Sequence, residues 1–213
     1  MIAIIDYGVG NLFSLRSSLK HIGVDAIVTG NIDDIRSAER LILPGVGAFE
    51  DAIKKLRSCK LDIVIKEEVA KGKPLLGICL GMQMLFEQSY EYGVHEGLGL
   101  IPGRVIPISD ALTSPLKIPH IGWNALSLKQ SGGRLLKHLN PGDHVYFVHS
   151  YYASDCDQYV IATTEYGATL TAAVERGNVF GCQFHPEKSG DVGLSILRSF
   201  CTMEDSYEDI SCN

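Results

Sequence analysis

Three segments of this chain carry residues whose types and spacing could act together in chemistry. Gly77-Ile78-Cys79-Leu80-Gly81 has the form G-x-C-x-G. Pro74–Cys79 reads as a strand and Met82–Tyr90 as a helix, so Cys79 falls at a sharp strand-to-helix turn, the cysteine version of a nucleophile elbow. Such a turn strains the nucleophile's backbone and pushes its side chain into a cleft, and glycines two residues to either side let the backbones pack closely. The helix N-terminus favours thiolate at Cys79, and the next backbone N–H, that of Leu80, points where an oxyanion would form. The pentapeptide alone fits equally a small buried cysteine in an ordinary βα turn.

Phe184-His185-Pro186-Glu187-Lys188 supplies a base and a carboxylate. On an extended backbone, which Pro186 favours for His185, residues i and i+2 share a face roughly 6.5 Å apart. Glu187 would then accept from one imidazole nitrogen and leave the other facing a nucleophile. Alone, His-Pro-Glu also fits a solvated turn. A metal would need a third ligand at metal-site spacing, and His21, His95, His120, His138, His144 and His149 are dispersed, so no metal or other cofactor is expected. In the third segment, Leu43-Pro44-Gly45-Val46-Gly47 closes a strand with a loop able to approach a ligand and flip; a backbone N–H from Gly45–Gly47 is a candidate second oxyanion donor. No Lys-Ser/Thr of a phosphate loop follows it.

These segments need a scaffold that brings strand ends together. Ile2–Asp6, Ala26–Thr29, Arg40–Leu43 and Pro74–Cys79 read as strands. Helical spacing of Leu12, Leu15, Leu19 and Ile22, with Gly23 as C-cap, and of Phe49–Arg57 and Leu61–Lys71 fills the intervals. That alternation predicts βαβ units and a parallel sheet, with ligand loops at one edge. The second half reads as strands over Arg104–Ile108, Trp123–Leu128, His144–Ala153, Tyr159–Thr164, Leu170–Glu175 and Val179–Phe184. Turns at Ser131-Gly132-Gly133, Pro141-Gly142 and Arg176-Gly177-Asn178 separate them, the last making a hairpin, and a helix runs from about Ser189 to Cys201. The expected fold is α/β: a central mostly parallel sheet with helices on both faces and a β-rich extension. Residues 1–202 read as one domain and 203–213 as an acidic tail.

Composition narrows the partners. The 213 residues carry a formal net charge of -6. No basic stripe is present, which disfavours nucleic acid, and apolar runs such as Ile2–Ile5 are too short for a membrane span. The first residues do not read as a signal peptide. Six scattered cysteines without a CxxC pair suit free thiols in a reducing cytoplasm.

Gly77-Ile78-Cys79-Leu80-Gly81-Met82-Gln83, the 43–47 loop and Gln183-Phe184-His185-Pro186-Glu187-Lys188-Ser189 together resemble a class I (triad) glutamine amidotransferase. Asp6–Asn11, Pro119-His120-Ile121-Gly122-Trp123-Asn124 and Tyr146-Phe147-Val148-His149-Ser150-Tyr151 resemble, within that class, the glutaminase subunits of imidazole glycerol phosphate synthase, the HisH type. The likeness runs from the first strand to about Phe200. It implies Cys79 as nucleophile, His185 as base then acid, and Glu187 as the orienting carboxylate. It also implies Leu80 N–H and the Val46/Gly47 peptide as oxyanion hole, and Gly47, Gln83, Ser150 and Tyr151 as contacts to glutamine. Asn11, Trp123, Tyr146 and Lys188 match a side facing a cyclase partner with a (β/α)8 barrel, the HisF type. By themselves these four also fit a helix cap, a core aromatic, a strand aromatic and a solvated charge.

The resemblance further implies that ammonia passes to the cyclase, which converts a ribulosyl-phosphate imidazole-carboxamide intermediate (PRFAR) into imidazole glycerol phosphate and AICAR. Other readings remain open at this point: a glutaminase serving another synthase, such as a surface-sugar amination enzyme; a γ-glutamyl peptidase; or a regulatory subunit without activity. Two departures stand out, Cys182 on the strand leading to His185 and Gly193 inside the last helix, where glycine weakens a helix.

Overall fold

The computed structural model describes residues 1–129 and 133–203. Ser131 and Gly132 of one expected turn, and the acidic tail beyond Met203, lie outside those residues. Ile2–Ile5 (β1), Ala26–Thr29 (β2), Arg40–Gly45 (β3) and Leu75–Cys79 (β4) are parallel in the order β2-β1-β3-β4. β1 and β4 are buried along their length, as strands covered on both faces must be. Leu12–His21 (α1), Ile32–Ser37 (α2), Phe49–Ser58 (α3) and Leu61–Ala70 (α4) form the crossovers. Phe49, Ile53, Leu56, Leu61 and Ile65 belong to one core cluster, whereas Leu15 and Leu19 belong to another with Ile196, Leu197 and Phe200 of the final helix Gly190–Thr202. Helices therefore cover both faces. α2 escaped the periodicity reading because it is too short to show a period; its signal is Asn31, whose Oδ1 accepts from the backbone N–H of Asp33 and Asp34 at 2.8 and 3.3 Å.

Five expectations need correction. The strand expected over Trp123–Leu128 is two, His120–Ala125 in a two-stranded sheet and Ser127–Leu128 at the edge of the main sheet, with a break at Leu126. β3 does not stop at Leu43 but runs through Pro44-Gly45. Pairing with β1 has ended by then, at Ile42, so no partner on that side needs the N–H that proline lacks. The helix expected over Met82–Tyr90 is one turn, Leu80–Gln83 (α5), followed by a strand, Phe86–Ser89 (β5). Burial of Phe86 and Ser89 with exposure of Glu87 and Gln88 suits neither period cleanly, and pairing with His95–Glu96 (β6) and Ile101–Pro107 (β7) decides for strand. The strand expected over His144–Ala153 breaks at Ser150. His144–His149 (β10) pairs with His120–Ala125 (β8), while Tyr151–Ser154 (β11) pairs with β7 in a different sheet. The last predicted strand ends at Cys182 rather than Phe184, because the chain leaves the sheet and His185 N–H donates to Tyr146 O of β10 at 2.9 Å.

The rest of the main sheet is the expected extension. Val179–Cys182 (β14) joins β4 in parallel; Thr169–Arg176 (β13), Val160–Glu165 (β12) and Ser127–Leu128 (β9) continue it antiparallel. The β13–β14 hairpin turns at Gly177, φ +55°. Among the described residues no helix is long and apolar enough to cross a membrane.

The tightest packing lies where β3, β4 and the turn after β4 meet. A Cβ on Gly81 would stand 1.8 Å from Leu43 O, one on Gly77 2.7 Å from Gly81 O, and one on Gly45 2.7 Å from Gly81 N. Backbone atoms fill these places and have no rotamer by which to yield. Gly81→Ala is therefore expected to destabilise the fold by roughly 3 kcal/mol or more, read as a fall in the denaturant midpoint; a midpoint equal to the parent protein's would refute the close approach.

Candidate active site

Cys79 ends β4 with φ +54° and ψ -112°, a conformation that non-glycine residues avoid at a cost of about 1–3 kcal/mol. The glycine contacts above hold it there, since the chain has no room to relax the turn. The elbow reading thus survives, although the dipole behind it is that of one helical turn and not of a long helix. Cys79 opens into a cleft of about 270 Å3 lined also by Val46, Gly47, Leu80, Gln83, Ser150, Tyr151 and His185. Every residue named from sequence for the nucleophile, base, oxyanion and substrate roles borders this space; Glu187 stands behind it. Gly47 has φ +92° and open space where a Cβ would point, and Tyr7 Oη donates to Pro44 O at 2.8 Å, anchoring the loop's base.

His185 Nδ1 and Glu187 Oε1 are 2.9 Å apart, with both side chains buried. The route to this contact differs from the sequence argument. His185 is extended, at φ -100° and ψ 98°, but Pro186–Lys188 is a turn of 3-10 helix, so the carboxylate reaches the ring by curling back and not by sharing a strand face. Ser189 pins the turn: its hydroxyl donates to His185 O at 2.6 Å and accepts from Tyr146 N–H at 3.0 Å. Gly193 has its reason here as well, because a Cβ there would lie 1.9 Å from Pro186 O. The glycine that weakens the final helix lets its first turn close on the histidine turn.

Burial pulls the His185 ring toward neutrality, but hydrogen bonds to Cys79 and Glu187, and the charges of both, outweigh it and raise the ring from 6.5 to about 9. At neutral pH the ring holds its proton and is an acid in waiting. Two buried thiols outside the cleft are raised chiefly by desolvation. Cys182, fully buried, is held well above its ordinary value by desolvation, and burial lifts Cys156 to about 11.

Sequence reasoning assigned no role to three residues that the cleft uses. Gln183, fully buried, points Nε2 at Cys79 Sγ, 3.7 Å away, and accepts from Gln83 Nε2 at 3.0 Å. It reaches Cys79 from just past the end of β14, two residues before His185, a spacing that a period-2 reading back from His185 could have found. Glu91 lines the cleft and accepts from Phe49 N–H at 2.5 Å; burial, ahead of that bond, keeps its carboxyl above its ordinary value. It sits in a loop with no sequence pattern to mark it. His149, dispersed in sequence from any metal-site spacing, also borders the cleft.

The residues expected at a partner face form a patch. Trp123 is 56% exposed, which overturns the core alternative for it. Its ring meets Tyr146 edge-on at 6.1 Å, and Lys188 Nζ lies 5.8 Å over the Tyr146 ring. Asn11 stands at the N-cap position of α1 but makes no capping bond; its Nδ2 donates to Glu187 Oε1 at 3.4 Å. The patch thus adjoins the His185–Glu187 pair. Among the described residues no group of three or more His, Cys, Asp or Glu is placed to hold a metal ion.

The chain matches the family model for class-I glutamine amidotransferases over residues 3–203. It is 50% identical, over 95% of its length and 98% of the other's, to a protein of Caldanaerobacter subterraneus subsp. tengcongensis named imidazole glycerol phosphate synthase subunit HisH. A Rhodopirellula baltica protein of the same name is 49% identical over 95% of this chain and 97% of its own. Among solved structures, PurLQS from Thermotoga maritima superposes with a TM-score of 0.73 at 20% identity, covering 94% of this chain and 96% of that one. At that identity the likeness speaks for the fold alone.

The His185 ring is expected to stay protonated through neutral pH and to release its proton near pH 9. A group raised on folding stabilises fully below its unfolded value, and that contribution is lost as pH rises through about 9. Glu187→Gln removes one of the raising partners, so the ring's titration moves to lower pH. Ring chemical shifts followed from neutral to alkaline pH read both; a wild-type ring already neutral at pH 7 would contradict this electrostatic account.

Proposed function

The chain belongs to the class I glutamine amidotransferases and, within them, to the HisH-type subunits of imidazole glycerol phosphate synthase, and on that premise we propose how its cleft takes ammonia from glutamine. Cys79 Sγ attacks the side-chain carbonyl carbon. Leu80 N–H and the Val46/Gly47 peptide receive the oxyanion, worth about 3–4 kcal/mol per donor in such sites. As the C–N bond breaks, His185 gives its proton to the nitrogen and ammonia leaves. Water then gives a proton to the neutral ring and attacks the thioester; the C–S bond breaks, and glutamate departs with the sulfur restored as thiolate. Glu187 holds the ring's tautomer and stabilises its charge throughout. Gln83, Ser150 and Tyr151 face the body of the substrate, and Glu91 supplies a carboxylate for its α-ammonium. The single observation carrying this reading is the buried 2.9 Å His185–Glu187 contact beside Cys79 at the strained elbow.

Ammonia set free in water would protonate and disperse, so it needs a shielded route to a second active site. We infer that the route opens at the patch of Asn11, Trp123, Tyr146 and Lys188, against a cyclase subunit built as a (β/α)8 barrel, in the cytoplasm. Val46, 39% exposed, stands at the cleft mouth, where turning one peptide of the 44–47 loop completes or undoes the oxyanion hole. The synthase as a whole would convert PRFAR to imidazole glycerol phosphate and AICAR.

Glutamate release is expected to be slow for the chain alone and strongly stimulated by the cyclase subunit with its nucleotide ligand. Cys79→Ala should lower release by roughly 10³-fold or more. Cysteine-dependent release without stimulation would point to a different synthase; release independent of Cys79 would refute the triad. Trp123→Ala should weaken association with the cyclase by about 2 kcal/mol, measured by calorimetry, and an unchanged affinity would remove Trp123 from the interface.

A further inference from the structure

Two buried histidines outside the triad form a hydrogen-bonded chain whose direction the geometry dictates. His149 Nδ1 lies 2.8 Å from Tyr151 O. A carbonyl only accepts, so Nδ1 carries the proton and Nε2 of that ring is an acceptor. His120 Nδ1 lies 3.0 Å from that Nε2 and must therefore be the donor, leaving its own Nε2 to accept from Asn124 Nδ2 at 3.4 Å. Asn124 spends its other proton on Glu165 O at 2.8 Å. At the inner end, Gln83 Nε2 also donates to Tyr151 O, at 3.0 Å. One carbonyl on the cleft wall is thus gripped from two sides, at the point where the chain has just changed sheets at Ser150.

We propose that His120 and His149 are positioning residues for glutamine recognition: their one-way chain holds Tyr151 and the Ser150 bend in place, and so fixes the wall against which the substrate lies. This rests on the glutaminase reading above. The chain suits the role because neither ring takes up charge. Burial pulls His120 down to about 4, and burial pulls His149 to about 4 despite the Tyr151 carbonyl. The outer end reaches Asn124, the neighbour of exposed Trp123 on β8, so the wall is braced against the strand that carries the proposed docking patch. His120 is also stacked, with ring centroids 4.9 Å from Phe147 and 4.1 Å from Tyr166, so packing is the rival explanation for both histidines.

Two substitutions separate the explanations. His120→Phe keeps a stacking ring and loses the donor; His120→Asn keeps a donor at the Nδ1 position and loses the stack. If the bond matters, the Phe variant raises KM for glutamine roughly tenfold with kcat changed less than about threefold, and the Asn variant recovers most of the loss. A KM unchanged in the Phe variant, or an Asn variant worse than the Phe variant, overturns the proposal in favour of packing. Independently of activity, ring-nitrogen spectra of the wild-type chain should show both histidines protonated at Nδ1 and untitrated between about pH 5 and 8. The Nε2–H tautomer at either ring would break the chain and the proposal with it. A wild-type protein releasing no glutamate even with the cyclase subunit and its nucleotide ligand would instead sink the reading on which the kinetic test depends, with the tautomers still deciding whether the hydrogen-bonded chain exists.

Discussion

Everything catalytic here depends on one steric constraint: three stretches of backbone meet around Cys79 with no room for side chains between them. Gly45 on β3, Gly77 on β4 and Gly81 after the elbow each occupy a place where a Cβ would collide with main-chain atoms. That contact holds a cysteine in the left-handed region against its own preference. The strain is local and the restraint is broad, since β4 is flanked by β3 on one side and β14 on the other. Interior strands of a parallel sheet yield little, so the sulfur's position is set by the sheet together with the two glycines that flank the elbow.

The same sheet delivers the base. β14 lies beside β4, so the segment that follows it emerges next to the elbow at the sheet's ligand-binding edge. From there a short 3-10 turn, pinned by Ser189 and closed over by the helix at Gly193, curls Glu187 onto His185. The two halves of the site arrive from distant parts of the sequence and meet because strand order puts their carriers side by side. The raised His185 follows from that meeting, since both Cys79 and Glu187 push it up against the pull of burial.

Outside the main sheet, two smaller sheets supply one wall of the cleft. β10 and β11 are consecutive in sequence but pair in different sheets, and the break at Ser150 presents Val148, His149, Ser150 and Tyr151 to the cleft. On the outer side, β8 and β10 offer Trp123 and Tyr146 beside Lys188. One small two-stranded sheet therefore carries Trp123 and Tyr146 on one face and the Asn124–His120–His149 chain on the other.

Sequence alone determined the α/β class and the parallel half of the sheet, and it singled out the three residues proposed as a triad. Cys79 between its glycines, and the His-Pro-Glu segment, are local signals whose residue types the chemistry demands. It misjudged what depends on pairing partners. Met82–Tyr90 carries helix-compatible residues and becomes strand because β7 lies beside it; His144–Ala153 reads as one strand and splits because its halves find different neighbours. Gly193 reads in sequence as a weak point in a helix, whereas in the fold Pro186 O lies against it. The His120–His149 chain was invisible for the same reason: scattered histidines have no period, and only a fold that pairs β8 with β10 brings their rings within 3.0 Å. Local residue chemistry is written along the chain, whereas burial, register and hydrogen-bond direction exist only between segments the fold has joined.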